Sequence, residues 1–80
     1  MLADILDNHR GPYIFCVVRP HPKKKGFYRS EWLKGSTERE DVGPEAQALL
    51  ADSRDTICQV AVWSEREACF VTVIRGEKDL

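Results

Sequence analysis

The chain reads as an α+β domain in which an antiparallel four-stranded sheet, made of two hairpins, packs one face on a connecting helix. Three observations predict it. Residues 56–75 are two β-branched and aromatic runs, TICQVAVW and ACFVTVIR, split by a polar break, the pattern of a hairpin. Residues 13–33 hold a second pair of strand-like runs around a loop marked by Pro20, Pro22 and Gly26. Between the two pairs, Ala46, Leu49, Leu50 and Ser53 recur at helical spacing. Eighty residues suit a single domain with a lean core.

At the N-terminus Leu2, Ile5 and Leu6 fall at helical spacing and Gly11-Pro12 closes the segment. Two turns do not hold alone in water, so this short helix is expected to lie against the sheet or to be exchanged with a neighbouring copy. Residues 13–19 are continuously apolar up to Arg19, which predicts a central strand buried on both faces. Residues 20–26 form a loop with Lys23, Lys24 and Lys25 at its tip. Residues 27–33 have strand composition but poor alternation, because Arg29 and Glu31 share a side with Phe27 and Leu33; a half-exposed strand is expected. The polar stretch 35–42 reads as a loop or frayed turn. Proline is tolerated at the first helical position and an acid there complements the helix dipole, so Gly43-Pro44-Glu45 opens a helix over 44–53. Residues 52–55 end it, and 76–80 read as a loose tail.

Burial of one face strongly specifies strand register. With a four-residue break at 64–67, Val62 lies opposite Cys69, Val60 opposite Val71 and Cys58 opposite Val73, an entirely apolar face. The other face pairs Trp63 with Ala68, Ala61 with Phe70, Gln59 with Thr72 and Ile57 with Ile74. One helix covers one face. The side bearing Trp63, Phe70, Ile57 and Ile74, extended by Trp32 and Tyr28, is therefore expected to be covered by the N-terminal helix, a second subunit or a target.

The composition argues against several function classes. The formal net charge is −1, but the basic residues Arg10, Arg19, Lys23, Lys24, Lys25, Arg29 and Lys34 crowd the first 35 positions, whereas acids outnumber bases two to one thereafter. A general nucleic-acid coat does not fit this balance; local complementarity to a partner does. Cys16, Cys58 and Cys69 are odd in number, lack CxxC spacing and sit in apolar runs, so they are expected as core thiols of a reducing cytoplasm. With His9 and His21 they form no close-spaced ligand pair, and neither a metal nor a cofactor is expected. Both histidines fall in predicted loops and all three thiols in predicted strands, so no nucleophile meets a base and no enzyme is expected. The glycines stand singly, without a phosphate-cradling loop. No run reaches the length of a membrane span and no secretory leader is visible.

Three constellations remain. Arg19, Lys23, Lys24, Lys25 and Arg29, beside Phe27 and Tyr28, could grip phosphates while an aromatic ring stacks on a base. The bland alternative is a solvated loop that blunts a sheet edge. Glu38, Glu40, Asp41 and Glu45 could occupy a partner's phosphate-binding arginines, or serve only as a solvated face. Trp32, Ile57, Trp63, Phe70 and Ile74 make the third group, with interface anchors among them. The carboxylates of Glu65 and Glu67 read as turn solubility.

Taken as a whole, a chain of eighty residues with a two-hairpin and helix plan and charged surface segments resembles the small phage-encoded inhibitor proteins, including the anti-CRISPR group. The resemblance implies a protein that blocks a nucleic-acid-handling complex by occupying its surface, as a monomer or a homodimer. The expected function is thus stoichiometric binding to a protein partner, without a membrane. The alternative is a nucleic-acid-binding domain that uses the basic 19–29 hairpin loop.

Overall fold

Four strands, β1 (Tyr13–Pro20), β2 (Tyr28–Trp32), β3 (Gln59–Ser64) and β4 (Cys69–Ile74), form one antiparallel sheet in the order β2-β1-β3-β4. Two helices, α1 (Leu2–Asp7) and α2 (Arg39–Ala51), and a 3₁₀ turn at Glu77–Asp79 complete the α+β architecture that the patterning predicts. The computed structural model describes residues 1–52, 54 and 56–80. Ser53 and Asp55, assigned from the sequence to the end of the helix, lie outside the described residues.

The apolar run of β1 makes it a central strand, paired with β2 on one side and β3 on the other. Its odd-numbered residues Tyr13, Phe15 and Val17 join Val60, Val62 and Ile74 in the core, where Leu2 and Leu6 of α1 and Val42 and Ala46 of α2 pack against them. Both helices therefore lie on the same face of the sheet. α1 is held there by apolar contact and by Arg39, which donates to the Ala3 carbonyl and to the Asp7 carboxylate.

α2 begins five residues before the expected 44. Residues 39–42, read as part of a loop or frayed turn, are helical together with Gly43, and Pro44 sits inside the helix. Val42 explains the difference. It is fully buried, one turn before the fully buried Ala46, so tertiary packing rewards a turn whose local sequence is polar. Pro44 lies in the second turn, where it removes the bond its N–H would make to the Glu40 carbonyl and sets its ring against that carbonyl, a cost that the burial of Val42 and Ala46 offsets. Glu40 and Asp41 in the first turn complement the helix dipole.

The β3–β4 hairpin has a four-residue break, but at 65–68, one position later than expected. Ser64 pairs with Cys69 and Trp63 with Phe70; a β-bulge then shifts the ladder, so that Val62 meets Thr72, Ala61 meets Val73 and Val60 meets Ile74. A bulge adds one residue to one strand and exchanges faces beyond it. Ile74, placed by alternation on the aromatic face, is thereby turned into the core and fully buried, while Val73 moves to the other face. Ile57 precedes β3, escapes its alternation and is also buried in the core. Cys58 precedes β3 and Cys69 follows the turn; both are exposed, contrary to their reading as core thiols, and only Cys16 is buried. The 76–80 segment is no loose tail, since Leu80 packs against the core.

Among the described residues, no helix is long and apolar enough to cross a membrane.

Candidate functional site

The face of the sheet away from both helices carries Ile14, Cys16 and Val18 of β1, Ala61 and Trp63 of β3, Trp32 of β2, and Phe70 and Val73 of β4, by alternation and register. Three of them form one aromatic cluster. The Trp32 and Phe70 rings stack at 5.5 Å with 18° between their planes, and Trp63 stands edge-on to both, at 5.6 Å from Trp32 and 4.9 Å from Phe70. These separations are in the favourable range for aromatic pairs.

β2 and β4 are the two edges of the sheet, roughly 14 Å apart at about 4.8 Å per strand. Trp32 and Phe70 meet only because both lean inward over the small side chains of the middle strands. Cys16, the direct partner of both Trp32 and Ala61, is 6 % exposed although it points to the helix-free side. Cys16, expected as a core thiol, and Ala61, expected on this face, are both buried beneath the rings; that they form the floor of the cluster was not read from the sequence. Trp32 and Phe70 nevertheless remain 52 % and 49 % exposed. The cluster thus shields its own floor and still presents a broad aromatic surface to solvent.

The other expected contact residues lie elsewhere. Glu38, Glu40 and Asp41 surround the N-terminus of α2, on the helix side, and Glu45 accepts a 2.8 Å hydrogen bond from the Thr37 hydroxyl. Arg19 pairs with Glu31 at 3.4 Å and stands opposite Arg29 in the ladder. Lys23, Lys24 and Lys25 are exposed at the tip of the first hairpin, about 13 Å or more along β2 from Trp32. His21 lies in the loop, as expected, and its Nδ1 accepts hydrogen bonds from the Lys23 and Lys24 backbone N–H groups at 3.1 and 3.0 Å, which fixes the loop. Lys24 Nζ lies 6.0 Å from the centre of the exposed Phe27 ring. Basic loop, acidic helix start and aromatic face are three separate surfaces.

Two further features escaped the sequence reading. A cleft of about 340 Å³ opens between α2 and the end of β2 over Phe15, Leu33 and Leu49. Its carboxylates already have internal partners: Thr37 on Glu45, and on Asp52 the Arg54 side chain, which holds that carboxyl below its ordinary range. Among the described residues, no group of three or more His, Cys, Asp or Glu side chains could share a metal ion.

The second feature is Glu67, which is not a solubility residue. Its carboxylate accepts from the Arg10 backbone N–H at 2.6 Å and lies 3.2 Å from His9 Nδ1, anchoring the 8–12 arm to the β3–β4 turn. The Arg10 N–H above all, with smaller help from His9 and Ser64, lowers the Glu67 pKa. The folded pKa lies below the unfolded one, so this stabilisation is complete above the ordinary carboxylate value near 4.3 and is lost as pH falls through the depressed value. Glu67→Gln should accordingly flatten the acid limb of stability. Urea midpoints measured from about pH 6 to about pH 2.5 check this; a limb as steep as that of the wild type would assign the acid sensitivity to other carboxylates.

No protein-family model, no curated protein and no solved structure matches the chain. The fold and surface define its class as a small α+β domain with an open, aromatic sheet face.

Proposed function

We propose that this protein is a non-enzymatic binding module that acts stoichiometrically on a protein partner, which it docks on the helix-free face of its sheet. One observation carries the reading: Trp32, Trp63 and Phe70 gather on the sheet face that neither helix covers, and two of them stay about half exposed. Clustered tryptophans and other aromatics are the usual anchors of protein interfaces, and apolar patches of this kind on small domains mark interaction sites.

A protein suits this face better than a nucleic-acid strand does. Base stacking needs free ring faces beside phosphate-gripping cations. Here Trp32 and Phe70 use one ring face on each other, and no strand residue on this side of the sheet is charged. The acids Glu38, Glu40 and Asp41 extend the proposal to a partner with a basic surface, such as the nucleic-acid-handling complexes blocked by phage-encoded inhibitors of the anti-CRISPR kind. Three free cysteines, two of them exposed, fit action in the reducing cytoplasm. A second reading rests on the exposed Phe27 and Tyr28 beside Lys23, Lys24 and Lys25, a stacking and phosphate-gripping loop.

Affinity capture from host cells with mass-spectrometric identification, run with three forms of the protein, separates the two. The wild type and a variant with all three lysines changed to glutamate should retain one stoichiometric protein partner. Trp32→Ala with Phe70→Ala should lose it, by about 100-fold in affinity, with an unchanged circular dichroism spectrum. Sub-micromolar binding of a single strand or duplex at physiological salt, abolished by the lysine changes, would replace this proposal with the second reading.

A further inference from the structure

We infer that β2 is a self-complementary edge through which two copies of this chain join their sheets into one of eight strands. This rests on the sheet edge and is independent of what the aromatic face binds. The phase of the edge follows from the bonds that flank it. Leu33 N–H donates to the Phe15 carbonyl at 2.9 Å and His21 N–H to the Phe27 carbonyl at 2.8 Å, so the odd-numbered residues of β2 face β1. In an antiparallel ladder the alternate residues then point their backbone groups the other way. Tyr28, Ser30 and Trp32 thus present N–H and C=O groups outward. All five residues of β2 are exposed, and the strand contains no proline, lysine or bulge, the usual devices that blunt an edge. The opposite edge, β4, is made irregular by its bulge.

The side chains choose the partner. Arg29 stands directly opposite Arg19, and like charges so placed repel. Glu31 is engaged by Arg19, whereas Arg29 has no ion pair among the described residues. When a second β2 is laid antiparallel about a two-fold axis at Ser30, each Arg29 faces Glu31 of the second copy on the helix side. Each Tyr28 then faces Trp32 of the second copy on the open side. Tyr28, Ser30 and Trp32 fall in the hydrogen-bonded pairs, and Arg29 and Glu31 in the closer non-hydrogen-bonded pairs, where side chains interact best.

The register is specified as well. A slip of two residues one way sets Arg29 against Arg29, and the other way Glu31 against Glu31; a slip of one breaks the hydrogen-bond phase. In the favoured register the two open faces lie side by side, with both aromatic clusters on one surface. An edge of five residues buries less than a standard interface, so dissociation is expected on the order of ten micromolar.

Sedimentation equilibrium of the full chain from about 5 to about 500 μM should show monomer passing to dimer. R29E and E31R should each raise the dissociation constant at least ~10-fold, because both opposed pairs become like-charged. An equimolar mixture of R29E and E31R should recover a heterodimer of near wild-type affinity, since both pairs are then opposite in sign. S30P removes an outward N–H without touching the β1 ladder and should weaken the dimer with an unchanged circular dichroism spectrum. Amide exchange of Ser30 in the wild type should slow as concentration rises. A chain that stays monomeric at about 0.5 mM, a dimer indifferent to all three variants, a mixture that remains monomeric, or Ser30 exchange independent of concentration would each overturn the inference.

Discussion

Tyr13→Ala is expected to remove about 4 kcal/mol of stability, most of what an 80-residue domain possesses, and to abolish a cooperative thermal transition near ambient temperature. Tyr13 is the largest fully buried side chain and the first residue of the central strand. Its backbone exchanges two hydrogen bonds with Thr37, at 2.8 and 2.7 Å, which ties the chain leaving β2 back to the sheet. Its ring lies so close beneath the N-terminal arm that a Cβ on Gly11 would come within 2.9 Å of it. Alanine would open a cavity between α1, the arm and the sheet that no single neighbour can fill. The hydroxyl contributes far less, because its bond to the Leu6 carbonyl is long, at 3.5 Å.

Tyr13→Phe should therefore cost no more than about 1 kcal/mol. It has a second signature. Burial, and after it the Glu67 charge, raises the Tyr13 pKa. A raised folded pKa means that the contribution is fully present below the unfolded value near 10 and is lost as pH rises through the folded value. Tyr13→Phe should remove that alkaline loss, which guanidinium unfolding from about pH 8 to about pH 11 would detect. Equal damage from Phe and Ala would show that the hydroxyl, and not the ring, holds the arm.

The strands were legible because each signal was local and repeated. β1 opens with six consecutive apolar residues, 13–18, and β3 and β4 are β-branched runs on either side of a polar break. What was not legible depends on partners remote in sequence. Alternation counted back from the turn places Ile74 beside Trp63 and Phe70. One inserted residue in β4 reverses that, and nothing in the local sequence marks the bulge. Pro44 is a sound local signal for a helix start, overridden because Val42 reaches the core. Helical spacing in α1 and α2 says that each has an apolar side but not which face of a sheet receives it. The open face follows only once both are placed.

The candidate surface divides in the same way. Trp32, Trp63 and Phe70 were recognisable by residue type, yet their convergence depends on Cys16 and Ala61 being small enough to lean over. The basic and acidic residues were equally visible and lie on other surfaces, since charge along a sequence does not tell which side of a sheet a loop leaves from. Glu67 looked like an ordinary turn acid because the Arg10 N–H that it accepts is 57 residues away in the chain.

Ser64→Ala is expected to cost about 2 kcal/mol, although it removes a single oxygen atom. Ser64 is the one fully buried polar residue among those described, at the end of β3. Its hydroxyl donates to the Arg10 carbonyl and accepts the Glu67 backbone N–H at 3.1 Å, so it joins the arm to the turn from beneath, as the Glu67 carboxylate does from above. Alanine leaves a carbonyl and an N–H unpaired in a site with little water, and the penalty is their desolvation rather than the small bonds lost. Because the Ser64 and Glu67 links restrain the same arm, their losses should not add: in a double-mutant cycle with Glu67→Gln the second change should cost less than it does alone. Urea unfolding at neutral pH measures all four corners. Strict additivity would mean that the two links restrain different motions. A Ser64→Ala cost below about 0.5 kcal/mol would mean that water reaches the site and replaces the hydroxyl.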